Sequence, residues 1–222
     1  MNKTISIILA ALAILLCGPE AKAIDQQECG EPRGRFTNLG FAYSHLNQEG
    51  YPKLHSDVGF SLSKGTTYHL HRPIAGFLRF GIDAAWFDIT YDNYKVKEIS
   101  IYGTDEYSIH HVDLGLQVGP SVTVNFFKRL QATAYFRYNP TLALMYNNDE
   151  LQAGFANMFT GGVCVSYGII GLGIESRFGQ SKMNSYFQND DFYDSGDWTD
   201  AISSRKVKTK FSGLRAYISF RF

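Results

Sequence analysis

The chain has 222 residues, with 21 Lys plus Arg balanced by 21 Asp plus Glu, so its formal charge at neutral pH is zero. That balance argues against a nucleic-acid-binding surface, which needs a basic excess. The chain is 45% hydrophobic and 15% aromatic, with 14 Tyr and 17 Phe, yet no apolar stretch after residue 23 reaches the roughly 20 residues a helix needs to cross a bilayer.

Residues 1–23 read as a secretory signal. Lys3 supplies a positive start, Ile5 to Leu16 is almost wholly apolar, and Ala21-Lys22-Ala23 is an A-x-A cleavage site. Cys17 follows Leu16 rather than the small residue that precedes a lipidated cysteine, so cleavage after Ala23 is the expected processing. It removes Lys3, Lys22 and Glu20, leaving 19 basic and 20 acidic residues, a formal charge of −1. Cys29 and Cys164 remain. Two cysteines are no disulfide framework, and two unpaired thiols are the simpler expectation.

Residues 24–34 are polar, with Gly30, Pro32 and Gly34, and read as a short periplasmic leader. Eight segments with strand periodicity follow, because side chains of a strand alternate between two faces. The first, near Arg35 to Ser44, sets Leu39, Phe41 and Tyr43 against Asn38, Gly40 and Ala42. The second, near Asp57 to Leu70, sets Val58, Phe60 and Leu62 against Gly59, Ser61 and Ser63, with a later half irregular enough for a bulge. The third, Phe77 to Ile89, turns Leu78, Phe80, Ile82, Ala84 and Trp86 away from Arg79, Gly81 and Asp83. The fourth, Ser108 to Val124, is the most regular, with Val112, Leu114, Leu116 and Val118 opposing His111, Asp113, Gly115 and Gln117. The fifth to seventh are Leu130 to Leu144, Met158 to Tyr167 and Leu172 to Phe178. The eighth, from about Lys210 to Phe222, alternates Leu214, Ala216, Ile218, Phe220 and Phe222 with Gly213, Arg215, Tyr217, Ser219 and Arg221.

Alternation alone does not say which face is outside, since a soluble sandwich or barrel has the same period. Three features decide it. First, short connections (71–76, 126–129, 168–171) alternate with long polar ones (45–56, 91–107, 146–156, 180–209), the pattern of short periplasmic turns and longer extracellular loops. Second, the polar faces carry a mixed-sign set: Arg79, Asp83, His111, Asp113, Arg137, Glu175, Arg177, Arg215 and Arg221. Such charges can pair inside a narrow eight-stranded lumen, as buried charges must. Third, the chain ends on an aromatic residue in an alternating strand. The expected fold is therefore all-β, one eight-stranded antiparallel up-and-down transmembrane barrel over residues 35–222. Only helices and closed barrels satisfy their backbone hydrogen bonds in lipid. Pro120 and Pro140 each remove a ladder donor. Pro140 is expected beyond the bilayer, and Pro120 at a bulge or the periplasmic rim.

On these features the chain resembles the small outer-membrane β-barrel families of Gram-negative bacteria, of the OmpA/OmpX type, without the periplasmic peptidoglycan-binding domain of the OmpA pattern. The resemblance implies an outer-membrane address. It also implies a terminal strand (Gly213, Ile218, Phe220, Phe222) read by the barrel assembly machinery, and a role as anchor, adhesin or, in a few members, lipid-modifying enzyme.

Candidate chemistry is sparse. The lumen charges read as a hydrogen-bonded core rather than an ion path, because eight strands leave no open channel. Asp88 shares the parity of Trp86, and Ser108 and His110 that of Val112. A hairpin could join them at the outer rim as a Ser-His-carboxylate trio, which resembles lipid A deacylases. His69 and His71 are two imidazoles where zinc needs three or four donors, so no metal or cofactor is expected. The longest loop interleaves Asp190, Asp191, Asp194, Asp197 and Asp200 with Phe187, Phe192, Tyr193 and Trp198. It lacks the EF-hand order of ligands and suits a surface for an unknown ligand or protein partner. Arg205, Lys206, Lys208 and Lys210 follow, placed to meet lipopolysaccharide phosphates. The leading expectation is a non-enzymatic surface protein of the outer membrane, with a lipid hydrolase or a narrow pore as alternatives.

Overall fold

The computed structural model describes residues 34–48, 53–75, 77–100, 103–127, 129–147, 150–183 and 207–222. Nine strands lie among the described residues: β1 (Arg35–Gln48), β2 (Leu54–His55), β3 (Gly59–His69), β4 (Leu78–Ser100), β5 (Gly103–Phe127), β6 (Leu130–Asn147), β7 (Glu150–Tyr167), β8 (Ile170–Met183) and β9 (Val207–Arg221). β2 is a two-residue stub lying on the outer end of β1. The other eight pair antiparallel with their chain neighbours, and β1 pairs β9 to close the ring. The closing register sets Leu39 opposite Ile218 and Phe41 opposite Ala216, so both strands turn their apolar residues the same way.

That way is outward. Phe41, Leu172 and Tyr167 are more than 60% exposed, and Ile218, Val163, Ile174 and Phe136 are about half exposed. Asp83, Asp113, Arg137, Glu175 and Arg215 are buried inside. A water-soluble barrel would reverse this arrangement. The molecule is a transmembrane barrel, whose outer band meets hydrocarbon and whose charges fill the centre. The turn of β7 into β8 takes two residues, and Gly168 opens it at φ 63°, the left-handed backbone such hairpins require.

Three expectations need correction. Residues 91–107 and 146–156 are not loops: β4 and β5 run on as one hairpin to Ser100 and Gly103, and β6 and β7 to Asn147 and Glu150. The reason is an apolar alternation that continues past the bilayer but points inward, with Tyr94, Val96, Ile109 and Met145 buried. The irregularity suspected in the second segment lies in its partner. β3 stays regular while β4 carries an extra residue, Lys64 facing Phe87 and Gly65 facing Ala85. Trp86 and Phe87 both point outward at this bulge, and every residue of β4 after it changes face. Pro120 sits neither at a bulge nor at the rim. It is exposed in mid-β5, opposite Ile82. The register towards β6 is unshifted across it, with Val118 facing Tyr138 and Ser121 facing Tyr135.

Candidate functional site

The lumen is built in tiers, because inward side chains recur at every second residue of each strand. Arg79 and Arg221 lie at the periplasmic end. Above them Arg137 donates through Nη2 to Asp83 Oδ2 at 2.7 Å and through Nη1 to Gln117 Oε1 at 2.8 Å. Its guanidinium stacks on the Tyr135 ring, 3.6 Å from the centroid, with Phe36 at 5.1 Å on β1. A planar, weakly hydrated cation suits such a sandwich. The Tyr135 hydroxyl donates to Glu175 Oε2 at 2.7 Å. Its proton is thereby committed, so in the 2.8 Å contact with the Tyr217 hydroxyl it is Tyr217 that donates.

The next tier centres on Asp88. Arg215 donates through Nη1 to Asp88 Oδ1 at 2.8 Å and to Glu175 Oε1 at 2.9 Å, and through Nη2 to Thr90 Oγ1. Asn139 Nδ2 reaches Asp88 Oδ2 at 3.3 Å. Arg177 bridges outward. Its Nη1 donates to Asp113 Oδ2 at 3.2 Å and to Thr90 Oγ1 at 3.1 Å, and its Nη2 lies 3.8 Å from Asp88 Oδ2. Each of these arginines thus meets carboxylates on other strands, the arrangement that makes buried charge tolerable. Two glycines make room: a Cβ on Gly162 would lie 2.6 Å from the Tyr135 hydroxyl, and one on Gly173 would overlap the Tyr217 ring.

Above the charges the lumen turns apolar. Leu46, Leu54, Tyr94, Val96, Ile109, Ala143, Met145, Ala156, Met158 and Phe211 form a single buried cluster. Leu54 comes from β2, which continues the wall above β3 between β1 and β4, with Ser56 bridging Tyr94, so inward side chains of the wall itself form the plug. Ser56 is fixed there by accepting at Oγ from the Ser44 N–H at 2.8 Å. The His111 ring stacks on Phe211 beneath the plug, centroids 5.5 Å apart. The cavity between plug and network is about 20 Å³, room for about one water.

Each sequence-derived candidate now has a place. Asp83, His111, Asp113, Arg137, Glu175, Arg177, Arg215 and Arg221 are buried in the lumen, and Arg79 faces it half-buried. Asp88, expected to face lipid beside Trp86, faces the lumen instead, because the bulge shifts its parity. The Ser-His-carboxylate trio is therefore divided. Ser108 and His110 lie on the outer face, where His110 Nδ1 meets the Tyr91 hydroxyl at 2.8 Å. The Asp88 carboxylate is held by Arg215 across the wall. Sequence reading also missed Asp92, which accepts from Ser44 Oγ at 2.9 Å inside the barrel. The signal for both was present: polar residues move from odd positions (Arg79, Asp83) to even ones (Asp88, Thr90, Asp92) across Trp86-Phe87. His71 is engaged at its turn, with Nε2 accepting from the Phe80 N–H at 3.1 Å. Gly213, Ile218, Phe220 and Phe222 lie on the closing strand and its end. Cys164 is a buried thiol of the lumen wall. Cys29, the loop residues Phe187, Asp190, Asp191, Phe192, Tyr193, Asp194, Asp197 and Trp198, and Arg205 and Lys206 lie outside the described residues.

No family model matches the chain, and no curated protein matches it. Solved structures do. It is similar to Neisserial surface protein A, at 12% identity and TM-score 0.45, over 85% of this chain and 97% of that one. It is also similar to Ail, the attachment invasion locus protein of Yersinia pestis, at 11% identity and TM-score 0.43, over 86% and 100%. The outer membrane protease OmpT of Escherichia coli gives 7% identity and TM-score 0.43, over 89% and 99%. Likenesses at this level are ones of architecture and assign no activity. By its closed ladder, apolar exterior and charged interior, the chain is an eight-stranded antiparallel transmembrane β-barrel that resembles the small Gram-negative outer-membrane barrels.

Proposed function

We propose that this protein is a sealed, non-enzymatic scaffold of the outer membrane that acts through its extracellular loops. In this reading residues 1–23 direct export and are removed after Ala23, and the barrel holds the loops clear of the lipid. One observation carries the proposal: the lumen is filled by cross-strand ion pairs and capped by an apolar plug. A filled lumen favours neither conduction nor lumenal catalysis. The division of Ser108 and His110 from Asp88 counts against the hydrolase, since a nucleophile needs its base and orienting carboxylate within hydrogen-bond reach. The working surface is then left to the loops, and above all to the loop around residues 187–200, which joins aromatic and acidic side chains.

The test has two arms. Mature protein in planar bilayers gives no discrete conductance steps, and steady ohmic steps would overturn the sealed reading. Cells displaying the full-length protein should adhere to surfaces, and cells displaying it with residues 187–200 deleted should keep its heat-modifiable gel migration and lose that adhesion. If adhesion were unchanged by the deletion, the role of that loop would fall.

A further inference from the structure

A groove of about 690 Å³ lies on the outer wall at the extracellular rim, across β1, β2, β7, β8 and β9. Its lower wall is aromatic, Phe159 and Phe178, with ring centroids 5.9 Å apart. Its upper wall is basic, with Lys53 and Lys210 flanking the His45–His55 pair, and no carboxylate lines it among the described residues. The two imidazoles meet edge to face, Nδ1 to Nδ1 at 2.5 Å, so one of them donates to the other. Lys208 stands on the same outward face, two positions above Lys210.

We propose that this groove binds the phosphorylated headgroup of an outer-leaflet glycolipid, with one acyl chain laid along Phe159 and Phe178. The placement selects the occupant. The groove opens through the wall that meets lipid, so its apolar half lies at acyl depth and its cations at headgroup depth. Basic side chains at that level attract anionic lipid by roughly 1 kcal/mol each, about fivefold in affinity per residue. The histidine pair adds ring nitrogens that can donate where phosphate would sit.

The inference rests on the lipid-facing reading of this wall and not on any role of the loops. The mature full chain, folded in detergent, is examined by native mass spectrometry with bisphosphorylated lipid A, with its dephosphorylated form, and with inorganic phosphate as competitor. Bisphosphorylated lipid A should be retained, and its retention should fall about 25-fold in Lys53→Gln/Lys210→Gln. Lys95→Gln, on β4 away from the groove, should leave it unchanged. Heat-modifiable migration of each variant confirms the fold, so loss of binding is not loss of structure. Equal retention by the double variant, or equal binding of the dephosphorylated lipid, would overturn the proposal. Displacement by millimolar phosphate would also overturn it, since that would mark a free-phosphate site.

Discussion

Arg215→Met is the most informative single change to the lumen. In the wild type Arg215 contacts Asp88 and Glu175 and is almost fully buried. Its loss leaves Glu175 with the Tyr135 hydroxyl alone, while Asp88 keeps Asn139 and the more distant Arg177. Breaking a buried pair from one side costs about 3–5 kcal/mol, because an uncompensated charge remains in a low-dielectric site. That is roughly two to three and a half decades in the folding equilibrium. An internal control is at hand. Lys95 and Asp57 also pair, at 2.5 Å, but both are more than half exposed, so Lys95→Ala should cost about 0–1 kcal/mol. The assay is urea unfolding of barrel reconstituted in phosphatidylcholine vesicles, followed by tryptophan fluorescence. Arg215→Met/Glu175→Met should recover most of the loss, since an apolar replacement leaves no orphan charge on Glu175. An Arg215→Met barrel within about 1 kcal/mol of wild type would refute the reasoning. It would mean that the lumen charges are solvated, as in a water-filled channel.

Further outcomes follow from the same geometry. Ile174 is half exposed on the outer face near the middle of β8, so Ile174→Arg should destabilise the vesicle-folded barrel by about 2–4 kcal/mol, the cost of a cation at the midplane; a neutral effect would place that position in water. Gly173→Ala should cost about 1–3 kcal/mol by forcing the Tyr217 ring aside, and Gly173→Ala/Tyr217→Phe should still show that cost, because the clash is with the ring as well as the hydroxyl.

The barrel was legible in the sequence where one rule holds along a whole strand. β6, β8, β9 and β5 as far as Val124 alternate without interruption, so Val112 to Val118 and Leu214 to Phe222 announce their faces directly. β4 breaks the rule once, at Trp86-Phe87, and a period-two reading carried across that bulge sends Asp88 to the wrong side of the wall. The upper plug escaped notice for another reason. Tyr94, Val96, Ile109 and Met145 continue the alternation with inverted polarity, apolar inside and polar outside, so a transmembrane template ends where the bilayer does and reads the remainder as loop. The lumen charges were legible as a set but not as pairs. Which arginine meets which carboxylate depends on register and tilt, and Asp83 with Arg137 are 54 residues apart. The lipid-facing groove was legible only through Lys208 and Lys210, because His45, His55 and Lys53 join them by the folding back of β2 onto β1.

The central claim is that apolar side chains face hydrocarbon and ionised ones face inward. Trp86 reports on it directly, since it projects outward at the bulge beside Phe87 and the chain has only one other tryptophan, Trp198. The Trp198→Phe protein, folded into vesicles of phosphatidylcholine with brominated acyl chains, should show blue-shifted emission that bromine quenches strongly and aqueous acrylamide leaves nearly untouched. Emission quenched by acrylamide and indifferent to the brominated chains would contradict the account.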